Sequence, residues 1–178
     1  MLEFNRIMNI SPPSPSDNFG NFITYINKVI AQDLLIGLRE NQQLVEQKIL
    51  ALSEEQLNHE YQVGKWSTKE VIGHIIDTER IVAYRALRFA RKDKTSLPGY
   101  DEVLFGDTSN TGQRDIQKLI AEFVAVRQAT ILLFESFNEE MLAERGIASN
   151  FEISVPALGF AILGHCIHHL QIIDERYL

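Results

Sequence analysis

Three histidines stand where they could do chemistry. His74 lies in KEVIGHIIDTER, and His165 and His169 lie in LGHCIHHLQII, two segments that both read as amphipathic helices. Residues four apart on a helix have Cβ atoms about 6 Å apart, so His165 and His169 share a face and can converge on one ion. A third imidazole from a neighbouring helix leaves a coordination position open for water or substrate. Three protein ligands and one open position describe a catalytic metal site, whereas structural zinc sites are usually closed by four.

The surrounding residues leave alternatives open. His168 sits three residues from His165 and is the rival ligand; its plain reading is an exposed or supporting side chain. His59, in the hydrophilic stretch NHEYQ, reads as solvated. Cys166 occupies the place of the glutamate in an HExxH metalloprotease, where that carboxylate is the general base, which argues against a zincin mechanism. The cysteine reads as a buried inert thiol, with a reactive thiol as the other possibility. Asp77 and Glu79 follow His74 on its helix, and either could orient a ligand imidazole or act as a base. Their ordinary reading is an ion pair with Arg80 or Arg85. Arg127 falls on an otherwise apolar stripe, and a buried guanidinium without a partner is costly. It should therefore meet a carboxylate such as Glu79, or an anionic substrate. These three, Asp77, Glu79 and Arg127, are the catalytic candidates.

The elements that must position these residues can be read from periodicity. Leu34, Leu38, Val45, Ile49 and Leu52 recur at helical spacing and predict a first long helix over about 31–52, despite Gly37. Ser53 to Gln56 is a capping-box signature for a short helical turn, with Leu52 and Leu57 as its staple. A second long helix starts at Ser67 with Glu70 three residues on and Trp66 and Val71 stapling the cap, and runs to about Arg91. The loop SLPGYDEVLFGDTSNTG follows, long enough to be functional. A third helix is predicted over 113–137, with Ile116, Ile120, Phe123, Thr130, Phe134 and Phe137 on one face. After a connection containing Gly146 and Asn150, a fourth starts near Ser154 and Pro156. On its stripe of Val155, Leu158, Ile162, His165, His169 and Ile172, the two histidines take places that the pattern reserves for apolar residues. Four long helices and no convincing strand pattern predict an all-α, up-down four-helix bundle with one long inter-helix loop. The expected organisation is an extended lead-in over 1–17, including the Pro/Ser-rich ISPPSPSD, and a single bundle domain over 18–178.

Composition narrows the partners. With 178 residues and 45% hydrophobic content the chain can bury one sizeable core. Seventeen Lys and Arg against 24 Asp and Glu give a net charge of −7, which argues against a general nucleic-acid binder. No secretory signal and no stretch resembling a membrane span are read, and the single cysteine excludes an intramolecular disulfide; a cytoplasmic protein without a membrane partner is expected.

The segments GKWSTKEVIGHIIDTER, YRALRFAR, LPGYDE, AVRQAT and GHCIHHLQIIDERYL together resemble the DinB-like family of four-helix metal-binding proteins, unrelated to the polymerase of similar name. The resemblance covers about residues 31–178. It implies that His74, His165 and His169 are the metal ligands, that the ion is a divalent transition metal, usually nickel or zinc, and that the protein forms a homodimer. Relatives of this fold include thiol-dependent S-transferases and a mycothiol-dependent isomerase. The reading put first is accordingly a metal-dependent S-transferase that takes a low-molecular-weight thiol at the open position and a small-molecule substrate beside it. The second is a small-molecule hydrolase using water activated by the ion. The third is a non-catalytic stress-response module in which the metal braces the bundle.

Overall fold

The structure, a computed structural model, describes residues 9–14 and 20–178. Its helices are α1 (Ile23–Ile26), α2 (Leu34–Leu50), α3 (Glu54–Asn58), α4 (Thr68–Ala90), α5 (Glu102–Thr108), α6 (Ile116–Glu135), α7 (Glu139–Leu142) and α8 (Val155–Arg176). Two strands, β1 (Arg145–Ala148) and β2 (Phe151–Ser154), form a hairpin before α8. The four long helices α2, α4, α6 and α8 build the bundle, as the periodicity predicts. Most of the lead-in expected over 1–17 lies outside the described residues. In its described part, Ile10 is buried and pairs its backbone N–H with the Asp33 carboxylate and its carbonyl with the Leu34 N–H.

Caps fix where the helices begin. Asp33, Ser67, Asp115 and Ser154 each accept a backbone N–H of the first turn of α2, α4, α6 and α8. Ser53 and Ser67 both complete reciprocal capping boxes, with Gln56 and Glu70. The start of α4 is therefore pinned six residues before His74.

The helices pack in a ring in the order α2, α6, α4, α8, so consecutive α2 and α4 lie on a diagonal. Cross-helix pairs give the directions. Arg39 with Glu135 and Gln42 with Gln128 set α2 antiparallel to α6. Tyr177 reaching the Trp66 carbonyl sets α8 antiparallel to α4. Lys48 pairs with Asp174, and Arg80 with Glu122, so α2 runs parallel to α8 and α4 parallel to α6. Up-down alternation is thus interrupted between α4 and α6. The long connection over 91–115 makes this possible by carrying the chain back along the bundle, and it holds α5 and a 3-10 turn, Thr111–Gln113, where the sequence reads only as loop.

The hairpin is the element that periodicity did not reveal. Ser149 and Asn150 both have positive φ, 51° and 70°, the requirement of a type I′ turn, which is usually met by Asn-Gly or Asp-Gly. Gly146 is needed here because a Cβ would lie 2.2 Å from the Phe89 ring.

Two apolar clusters fill the bundle. One gathers Leu34, Leu35, Leu38, Phe89, Phe134 and Phe160 with their neighbours, the other Val45, Ile49, Ile72, Phe123, Leu170 and Ile173. Between them lies a polar layer to which every long helix contributes: Asn41, Glu79, Arg127 and, on α8, His165 beside Cys166. By length and composition α8 is apolar enough to cross a membrane, which the sequence reading did not expect of any stretch, but 67% of its most apolar window is buried inside the bundle. Its apolar residues are accounted for by the core.

Candidate metal centre

His74 on α4 and His165 and His169 on α8 meet at the level of the polar layer, and one ligating atom from each lies within 4.8 Å of the others. The Nε2 atoms of His74 and His165 are 3.0 Å apart. Zinc–nitrogen bonds of about 2.0–2.1 Å in a tetrahedron place ligand nitrogens roughly 3.3 Å apart, so the His74–His165 pair already has about the spacing that one ion requires, and His169 lies close enough to join it. The antiparallel crossing of α4 and α8 sets this approach, and the i, i+4 spacing on α8 supplies the second and third rings.

Aromatic neighbours hold the rings. Trp66 packs against His74 at 5.0 Å between centroids, and Tyr25 meets His165 edge-on at 5.1 Å. Tyr25 can come this close because residue 164 is glycine: a Cβ there would lie 2.1 Å from the Tyr25 carbonyl oxygen. Gly106 serves the same end on the other side, where α5 lies directly on the Trp66 indole.

The electrostatics favour neutral imidazoles. Burial pushes His74 down to about 4 and His169 down to about 3, with the charges of His74 and His168 adding to the effect on His169. His165 is held well below its usual range, by burial first and then by the other histidines. A metal binds the neutral ring, so the donor set is chemically ready as well as geometrically close. Among the described residues the cluster contains histidines alone, with no carboxylate.

The remaining site residues fall into distinct places. His168 lies outside the cluster, half-buried, with its ring against Tyr25 and His169. His59 is exposed. Cys166 is fully buried, and burial pushes its thiol up to about 11. Asp77 pairs with Arg80 at 3.5 Å. Glu79 receives Arg127 in a forked pair, Nε to Oε1 at 2.9 Å and Nη2 to Oε2 at 2.8 Å. Arg127 also donates to the Leu38 carbonyl and to Asn41. Burial alone would lower this guanidinium, but the Glu79 charge and hydrogen bonds outweigh it and hold it above its usual range. Glu79 and Arg127 are thus brought to each other rather than to an exposed reaction space.

Cavities open on both sides of the histidines. One of about 360 Å³ is bounded by His169, Trp66, Tyr177, Val103 and Asp107. The other, about 370 Å³, is bounded by His74, His165, Tyr25, Thr78, Arg85 and Tyr100. The long connection supplies wall to each, through Val103 and Asp107 or through Tyr100. Tyr100 and Thr78 share a hydrogen bond of 2.7 Å, and burial raises the Tyr100 phenol. Sequence reasoning missed Tyr25, Thr78, Arg85 and Tyr100. The signal for two of them was present: 74, 78, 82 and 85 form one helical stripe on α4.

The model of the DinB superfamily matches residues 38–173. This chain belongs to that superfamily. A curated protein of Oceanobacillus iheyensis named "Putative metal-dependent hydrolase" is 25% identical over 122 residues, 67% of this chain and 69% of that protein. One of the same name from Geobacillus thermodenitrificans is 26% identical over 110 residues, 61% of each chain. Among solved structures, YfiT from Bacillus subtilis is similar in fold, with a TM-score of 0.70 at 17% identity, covering 92% of this chain and 89% of its own. It is described as "a probable metal-dependent hydrolase with an unusual four-helix bundle topology". The diagonal placement of consecutive α2 and α4 is a departure from simple up-down order in the present chain.

Proposed function

We propose that this DinB-superfamily member is a metal-dependent hydrolase of a small molecule, with His74, His165 and His169 holding one divalent ion. The observation that carries the reading is the convergence of three neutral imidazoles, two of them buried and His169 half-buried, between two cavities of small-molecule size. Imidazole donors suit zinc and nickel alike. An ion held this way supplies Lewis acidity and lowers the pKa of a coordinated water.

The chain's own groups do the rest. Trp66 and Tyr25 fix the planes of the ligand rings and keep bulk water from their outer faces. The Tyr100 hydroxyl, kept protonated by burial, donates to a substrate oxygen on which charge develops. Thr78 orients that hydroxyl. Cys166, buried and protonated, takes no part as nucleophile. A homodimer and a cytoplasmic setting belong to the same proposal.

The relatives' names favour hydrolysis over the thiol transfer that the sequence reading put first, and no group in the cavities singles out a thiol. Protein purified without an affinity tag, analysed for metals and assayed on a panel of small esters and amides, tests the reading. Turnover should proceed without added thiol, stop with chelator, and return with one equivalent of zinc or nickel. A strict thiol requirement with one thiol bound per site would make it a transferase. Metal that only raises the melting temperature, with no turnover across the panel, would make it a binding module.

A further inference from the structure

Arg85 is the one arginine of the α4 face whose charge is left over. Arg80 is paired with Asp77 and Glu122, and Arg88 with Asp93. Glu79, which the sequence offered as a partner, is taken by Arg127. Arg85 is only 3% exposed, yet its hydrogen bonds go from Nη2 to two neutral oxygens, the Pro98 carbonyl at 2.8 Å and the Ser149 hydroxyl at 3.2 Å. No ion pair to it is formed among the described residues. A buried guanidinium held by neutral acceptors alone is expensive. Burial accordingly lowers its pKa, with only the Tyr100 side opposing.

The place of this charge gives it a purpose. Arg85 lines the cavity that also holds His74 and His165, and stands in the wall between it and a neighbouring, more apolar cavity lined by Leu97 and Phe105. Ser149, one of its two partners, is the positive-φ turn residue of the hairpin, and Pro98 belongs to the long connection. Two segments outside the bundle therefore fix the guanidinium while its remaining donors stay uncommitted. Tyr100 and Thr78 add hydroxyls along the same wall. Among the described residues, Glu102 is the one carboxylate lining the cavity, and it is exposed to solvent and screened there.

We propose that Arg85 anchors a carboxylate of the substrate, so that the cavity beside His74 and His165 takes a small monoanionic carboxylate whose reacting group lies toward the histidines. One guanidinium offsets one charge, and its planar fork matches a carboxylate. A phosphate monoester carries nearly two charges at neutral pH and would leave one unmatched near Glu102. This assignment rests on the hydrolase reading for its orientation, but the anion site itself exists without metal.

The test uses the metal-free full chain, so that its outcome is independent of turnover. Benzoate, its neutral isostere benzamide, and phenyl phosphate are titrated by calorimetry into wild type, Arg85→Gln and Arg85→Lys. Wild type should bind benzoate at least about ten-fold tighter than benzamide, the scale of a hydrogen-bonded charge. Arg85→Gln should erase that preference while leaving benzamide unchanged, and Arg85→Lys should keep part of it. Should the variants fail to fold, the Arg85 Nε–H resonance in wild type still decides: benzoate should shift it and benzamide should not. Equal binding of benzoate and benzamide, a silent Arg85 resonance, or a preference surviving in folded Arg85→Gln would overturn the anchor. Tighter binding of phenyl phosphate than benzoate would overturn the carboxylate class. None of these results bears on whether the ion supports hydrolysis.

Discussion

Arg127 is completely buried and grips Glu79 through two nitrogens, 2.9 and 2.8 Å from the carboxylate oxygens, at mid-height of the bundle between its two apolar clusters. The pair joins α6 to α4, and the Asn41 and Leu38 contacts join α6 to α2. Cys166 completes the contact with α8. A polar layer at this level fixes the register of the helices that carry the site, because sliding α2, α4 or α6 would strand a buried charge.

Breaking the pair should therefore be severe while replacing it should not. Glu79→Gln or Arg127→Met alone should lower stability by about 3–5 kcal/mol, the cost of an uncompensated buried charge. The double variant Glu79→Leu/Arg127→Met should recover most of that loss. Urea denaturation of the metal-free proteins measures it, and additive losses in the double variant would show that the two charges do not depend on each other.

The ligand set gives a second prediction. His74→Ala, His165→Ala and His169→Ala should each lose most bound metal, because two imidazoles hold an ion poorly. His168→Ala should keep it, since that ring lies against Tyr25 outside the cluster. Elemental analysis after gel filtration decides. Retention in His169→Ala with loss in His168→Ala would exchange the two residues' roles.

What the sequence made legible was what is local or periodic. The capping boxes at Ser53 and Ser67, the stripe of α6 with Arg127 inside it, and the i, i+4 pair on α8 all depend on neighbours within one or two turns. For Arg127 the sequence narrowed the partner to a carboxylate such as Glu79 or an anionic substrate, and the structure selects Glu79. The pairing of α4 with α8, the parallel course of α4 and α6, and the hairpin were not legible in the same way. Ring order depends on how long connections cross the bundle, and the Ser149-Asn150 turn lacks the glycine that usually announces its type. Arg85 was read only as an ion-pair partner for Asp77 or Glu79; that those carboxylates go to Arg80 and Arg127 instead is visible only once the helices are packed.

Cys166 yields a third prediction. With its thiol pushed up to about 11 by burial and by the Glu79 charge against the opposing pull of Arg127, it should be almost entirely protonated at pH 8 and shielded from solvent. Iodoacetamide should leave it unmodified in the folded protein and label it fully in urea, as read by intact mass. Rapid labelling of the native chain would place the thiol in an accessible position and return it to the list of nucleophiles.

The histidines set the response to acid. In the unfolded chain their pKa is about 6.5, while in the folded metal-free protein His74 and His169 are depressed to about 4 and about 3 by burial. Below pH 6.5 the unfolded chain takes up protons that the folded one refuses. The stability contribution is thus complete above about 6.5 and falls as pH drops from there toward 4, by about 1.4 kcal/mol per pH unit for each histidine. Urea midpoints of the metal-free protein at pH 7.5, 6 and 5 should decline, and less steeply in His169→Gln, which has one such group fewer. With metal bound, protons compete with the ion for these depressed rings only as pH falls toward about 4, so release from the folded protein should begin below about pH 5, with an order above one in protons and a parallel loss of thermal stability. Parallel midpoint curves for wild type and His169→Gln would mean that His169 does not titrate as a buried neutral ring. Multi-proton release of the ion from the still-folded protein already between pH 7.5 and 6 would mean that burial does not hold the three imidazoles neutral.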